Sequence, residues 1–162
     1  MKRLRILWLG GLVVFVLAGC FSKSAPVDTP TVVTPRGMTP VETVQFYFEQ
    51  WNNRNAVARG SVVREEMRGG IPSSLVYVRL DVCVDKTEEY MDRERARYPR
   101  TYPGYIEYAV VDVEFEIEHR FRSWFDDAGG FPEGKVYVDN VHYTLGKTSD
   151  DSDWVIVDWG FL

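Results

Sequence analysis

The chain has 162 residues, carries 24 acidic against 19 basic side chains for a formal net charge of −5, and is 45% hydrophobic. An acidic chain with no basic stripe interleaved with aromatics repels a phosphate backbone, which excludes nucleic acid as the expected partner. The length suits one domain with its own core, and two cysteines, Cys20 and Cys83, allow one internal disulfide at most.

Lys2, Arg3 and Arg5 precede an apolar run from Ile6 to Leu17. A spanning helix needs ~20 apolar residues, so this shorter run reads as the hydrophobic part of a signal peptide. It closes on Leu17-Ala18-Gly19-Cys20, which resembles the lipobox of bacterial lipoproteins. The resemblance implies cleavage before Cys20 and lipid on its thiol. It also implies a place on the extracytoplasmic face of the cell membrane, or in the outer membrane or periplasm of a cell with two membranes. An ordinary signal peptide or an uncleaved anchor is the alternative reading. Each buried methylene contributes ~0.8 kcal/mol, so two or three acyl chains hold where one is marginal. Loss of Lys2, Arg3 and Arg5 takes the formal net charge to −8, leaving the acyl chains rather than headgroup attraction as the anchor. With Cys20 lipidated, Cys83 has no disulfide partner.

Prolines at 26, 30 and 35 punctuate residues 20–38, which show neither helical nor strand periodicity. This stretch reads as a disordered tether, extending ~3.1 Å per residue in polyproline form. The folded part begins at Thr39-Pro40-Val41-Glu42, a capping box with proline at the first helical position. Val41, Val44, Phe48 and Trp51 then form one apolar stripe, widened by Phe46 and Tyr47, on a helix ending near Asn52-Asn53. Asn55 caps a weaker helix from Ala56 to Met67, interrupted by Gly60 and stopped by Gly69-Gly70.

After Pro72 the period changes to two. Val76, Val78, Leu80, Val82 and Val84 alternate with Tyr77, Arg79, Asp81, Cys83 and Asp85, which predicts a strand. Thr87 to Tyr98 is charged and helix-permissive, closed by Pro99, Pro103 and Gly104. A second alternating run from Tyr108 to Glu118 is longer than most strands, so a bend or bulge is expected in it. Val136 to Leu145 and Trp154 to Phe161 form a hairpin around a polar tip, Thr148 to Asp153. The expected architecture is α+β: N-terminal helices on a strongly bent, mainly antiparallel sheet, in a single domain over residues 39–162.

Two segments carry a resemblance to a family. Val44-Gln45-Phe46-Tyr47-Phe48-Glu49-Gln50-Trp51-Asn52-Asn53-Arg54-Asn55 and the closing Trp154-Val155-Ile156-Val157-Asp158-Trp159-Gly160 resemble uncharacterised bacterial lipoproteins. Those carry a domain of unknown function with a nuclear-transport-factor-two-like, or cystatin-like, cone fold. The resemblance spans roughly residues 39–162 and rests on its two ends, with segments 86–104 and 123–134 departing from it. It implies a cone-shaped α+β fold, one that hosts dehydratases and isomerases as well as non-catalytic binding domains, so function does not follow from it.

His142 and Asp158 are the catalytic candidates. If Leu145 faces Val155 in the final hairpin, 142 lies opposite 158, and a carboxylate beside an imidazole suits a general base. A purely structural hydrogen bond is the alternative, as is a register that keeps the two apart. Tyr47, Trp51, Trp154 and Trp159 are candidates to line a pocket, or else simply core. Asp112, Glu114, Glu116 and Glu118 share a strand face, but neighbours ~6.6 Å apart do not close around one cation, so a solvated face is expected. Asp150, Asp151 and Asp153 lack the glycine and distant glutamate of a calcium loop. Acidic neighbours Asp81 and Asp85 disfavour a Cys83 thiolate, and His119 has no evident partner. No metal or cofactor is expected, and no nucleophile elbow, phosphate loop, CxxC pair or HExxH is present. The expectation is a membrane-tethered, non-catalytic domain that binds a small molecule or an envelope protein. The alternatives are a small-molecule enzyme using His142 and Asp158, and a structural envelope protein.

Overall fold

The computed structural model describes residues 36–94, 96–120 and 133–161. The leader, Cys20, most of the tether and most of loop 123–134 lie outside the described residues. Element α1 spans Pro40–Asn52 and α2 spans Ala56–Ser61, followed by a 3-10 turn at Glu65–Met67. Strand β1 is Leu75–Asp85, helices α3 and α4 are Thr87–Glu94 and Tyr98–Thr101, and strands β2, β3 and β4 are Glu107–His119, Gly134–Lys147 and Val155–Phe161. The four strands form one antiparallel sheet in the order β1-β2-β3-β4, an α+β meander with two helices ahead of it. Among the described residues no helix is long and apolar enough to cross a membrane.

Both halves of the capping box at the start of α1 are made. The Thr39 hydroxyl accepts from the Glu42 amide at 3.2 Å, and Glu42 Oε2 accepts from the Thr39 amide at 2.8 Å, while Pro40 opens the helix without an orphaned donor. Val44, Tyr47 and Phe48 are buried, with Val41, Phe46 and Trp51 packed around them. They meet the odd-numbered face of β2, where Val111, Val113 and Ile117 are fully buried and Phe115 lies 5.1 Å from the Phe48 ring. At the helix end the Asn52 carboxamide donates to Val78 O (2.6 Å) and accepts from Val78 N (2.8 Å), pinning α1 to the outer edge of β1.

Bulges decide which side chains turn inward. In β1 the register shifts at Val76 and at Asp81, so each leaves an extra residue opposite β2. The inward set therefore changes parity along the strand. Val78 and Leu80 pair with Ile117 and Phe115, but beyond Asp81 it is Cys83 that pairs with Val113, and Val84 turns outward. The strict alternation from Val76 to Val84 does not hold for that reason. The long strand β2 is itself continuous, and the extra residues lie in its neighbours. On the β3 side Glu114 faces the pair Asp139-Asn140, with Asn140 in the left-handed region at φ 54°. Pro99, expected to end a helix, instead sits in the first turn of α4.

Candidate functional site

Two adjacent rungs of the sheet form the floor of the site. Val110, Thr144 and Asp158 face one another across β2, β3 and β4, and Asp112, His142 and Gly160 form the next rung. Directly opposed residues share a face, so this floor lies on the side of the sheet away from α1. His142 and Asp158 are thus not opposed, as the expected hairpin register would have it. Leu145 faces Ile156 rather than Val155, and the extra residue Val157 shifts the pairing once more. Two single-residue displacements restore the face while moving the pair onto neighbouring rungs.

Segment 86–106 covers this floor. Lys86 N donates to Val110 O at 2.8 Å and Val110 N donates to the Thr87 hydroxyl at 3.0 Å, which fixes the start of α3 on β2. At the far end Ile106 N donates to Lys147 O at 2.7 Å. The ring of Tyr105 packs against Gly146, where an added Cβ would lie 2.5 Å from it. Between floor and cover is a cavity of about 210 Å³. Tyr90, Arg97, Tyr98, Thr101 and Tyr102 line it from the cover, His142, Thr144, Asp158 and Gly160 from the floor, and Trp159 and Phe161 from the end of β4. Glycine at 160 matters here because a Cβ would meet nothing within 4 Å, so the space beside His142 stays open.

Hydrogen bonds across the cavity join cover to floor. Asp112 Oδ1 is bonded to His142 Nδ1, and the Tyr90 hydroxyl lies 3.1 Å from His142 Nε2 on the other side of the ring. The Tyr90 and His142 rings lie 4.8 Å apart. Tyr102 donates its hydroxyl to Asp158 Oδ2, and the Trp159 amide donates to Oδ1 at 2.9 Å. Burial, reinforced by the Asp158 carboxylate, pushes the Tyr102 hydroxyl far above its ordinary range. Tyr90 is raised by burial first, then by Asp112 and Glu89. Thr144 differs from both: it is 8% exposed, lines the cavity, and its hydroxyl bonds no other described residue.

The other candidates fall elsewhere. Of the four aromatic pocket candidates only Trp159, 49% exposed, lines this cavity. Tyr47 and Trp51 pack on the α1 side of the sheet with Phe48 and Tyr143, and the buried Arg59 guanidinium lies 5.5 Å and 5.4 Å from their ring centres. Trp154 is buried beneath Lys147, at 5.0 Å. That face is filled rather than hollow. Asp112, Glu114, Glu116 and Glu118 are not merely solvated, since Glu114 and Glu116 accept from Tyr137 and Tyr77, and Lys135 reaches Glu116 and Glu118 at 3.8 Å. His119 does have a partner, with Nδ1 3.0 Å from the Ser74 hydroxyl. The Cys83 thiol is pushed up to about 11, by burial and not by its acidic neighbours. Asp153 Oδ1 accepts from Gly37 N at 2.9 Å, and the hairpin tip closes on Ser152. Among the described residues no group of three or more His, Cys, Asp or Glu side chains could share a metal ion.

Tyr90, Arg97, Tyr98 and Tyr102 had no signal in the sequence beyond lying in a charged, helix-permissive stretch. Tyrosines at 98, 102, 105 and 108 with Pro99 and Pro103 between them were the available hint of a packed cover.

Fold and site together define an α+β domain carrying a small, tyrosine-walled cavity on the outer face of its sheet. No family model, no curated protein and no solved structure matches the chain.

Proposed function

We propose that this protein is a membrane-tethered binding domain, held by lipid on Cys20 and carrying a small-molecule site between segment 86–106 and the sheet. The observation that carries the binding reading is the cavity of about 210 Å³, which is below the ~300–1,000 Å³ of drug-sized sites and suits one small molecule. Its two acid–base groups are already engaged, His142 by Asp112 and Tyr90, Asp158 by Tyr102 and a backbone amide. A general base must reach a substrate proton at about 2.6–3.2 Å, and here a tyrosine occupies that position on Nε2. These groups therefore hold the cover and shape the wall, while the Thr144 hydroxyl remains to bond a ligand. The lipobox and the proline-rich stretch support the tether, and the helix-on-meander order supports a cystatin-like cone as the fold type.

The test is a fragment screen by two-dimensional NMR on wild type and on Gly160→Val, which fills the space beside His142. Fragments are expected to perturb the amides around His142, Thr144 and Gly160 in wild type and to leave the variant unchanged. Equal perturbation of both proteins, or of neither, would sink the reading. An enzyme is the second reading, favoured by His142, which lines the cavity and is held by Asp112. It requires turnover of a cavity-bound molecule that is lost in His142→Gln while the fold is kept.

A further inference from the structure

Resting on that reading of the cavity as a ligand site, we propose that it takes an uncharged molecule of one aromatic ring bearing a single hydroxyl, of the phenol class. The titratable side chains of the floor are already satisfied. Asp112 and Tyr90 hold His142, and Tyr102 and the Trp159 amide hold Asp158. Arg97, on the cover, is engaged as well. An ionised ligand entering here would give up its hydration and meet no unpaired counter-charge, the costliest form of burial. The ligand is therefore neutral.

One hydroxyl of the floor is left over. Thr144 shares a rung with Val110 and Asp158, lines the cavity at 8% exposure, and bonds no other described residue through its side chain. A hydroxyl both donates and accepts, so it matches one hydroxyl on the ligand. A sugar or other polyol would bring several hydroxyls against that one partner, and each left unpaired on burial weakens binding. What surrounds Thr144 is apolar surface: the Val110 side chain beside it, and the rings of Tyr90, Tyr98 and Tyr102 from the cover. Tyr98 and Tyr102 are stacked, with ring centres 6.2 Å apart and planes at 26°. An aromatic guest extends such a cluster by offset or edge-to-face contact. Volume sets the size of that guest. A cavity of ~150 Å³ holds benzene, so about 210 Å³ holds one ring with a substituent.

The probes are phenol, toluene, benzoate and benzylamine at neutral pH, the last two carrying one charge of either sign. Binding to the unlipidated chain from Cys20 onward is followed by NMR shifts of the His142 and Gly160 amides. Phenol should bind at least about tenfold more tightly than benzoate or benzylamine. Phenol and toluene differ by a hydroxyl in place of a methyl, so the ratio of their affinities isolates the hydrogen bond from the burial of the ring. Thr144→Val keeps the side-chain shape without the hydroxyl and should lower that ratio at least about fivefold. Thr144→Ser, which keeps the hydroxyl, should hold the ratio near its wild-type value. The same ratio in wild type and in Thr144→Val overturns the inference. A charged probe binding wild type as tightly as phenol also overturns it, and that arm does not depend on any variant folding. Failure of all four probes in a cavity that still takes non-aromatic uncharged fragments overturns it too, leaving the binding reading intact. A cavity that takes nothing overturns both.

Discussion

Asp158 and His142 each bond a tyrosine more than 50 residues away in the chain, at positions 102 and 90. Neither partner is implied by local sequence, because a hydroxyl meets a carboxylate here through the way segment 86–106 lies over the sheet. The consequence for pH follows from Tyr102. Its folded-state pKa is raised by burial and by Asp158, above the unfolded value of ~10. The folded protein then binds more protons than the unfolded chain at alkaline pH. Its contribution is full below the unfolded pKa and is lost as pH rises through the folded one. Urea denaturation between about pH 9 and pH 11 should show a shallower alkaline loss of stability in Tyr102→Phe than in wild type. Parallel pH dependence in the two proteins would mean that Tyr102 is not held at Asp158.

The helices and strands themselves were legible. The capping box at Thr39, the apolar stripe on α1 and the period-two runs place every large element within a few residues of where it lies. What the period could not carry was register. A bulge adds one residue without altering the alternation that announces a strand, so Asp81 reverses the facing of Cys83 and Val84, and Val157 moves Asp158 by one residue along β3. Two glycines in facing strands show how differently element packing uses the same residue. Gly146→Ala drives a Cβ to 2.5 Å from the Tyr105 ring and should cost about 1–3 kcal/mol as the cover shifts. Gly160→Ala meets nothing within 4 Å and should stay within about 0.5 kcal/mol of wild type. Equal denaturation midpoints for the two variants would show that Tyr105 does not dock on Gly146.

On the scale of the molecule, the sheet has two differently used faces. One is filled by Tyr47, Phe48, Phe115 and Tyr143 beneath α1, and the other carries the cavity under α3 and α4. The proposed place of the domain in the cell rests on the lipobox resemblance at Leu17-Ala18-Gly19-Cys20. Lipidation at Cys20 predicts that Cys20→Ser accumulates as unprocessed precursor and takes up no labelled fatty acid, checked by metabolic labelling and gel mobility. A variant processed and labelled like wild type would remove the tether from the proposed function.

Capping signals and periodicity by themselves determined the α+β class, the strand and helix order and the start of α1 at the Thr39 capping box. These depend on neighbours within a turn or a strand, and local spacing encodes them. His142 and Asp158 were visible as candidates, but not their true partners. Asp112, Tyr90 and Tyr102 join them only once three strands set their register and a charged, weakly patterned segment closes over one face. Such contacts are fixed by bulges and by the docking of Tyr105 on Gly146, long-range events that no local period records.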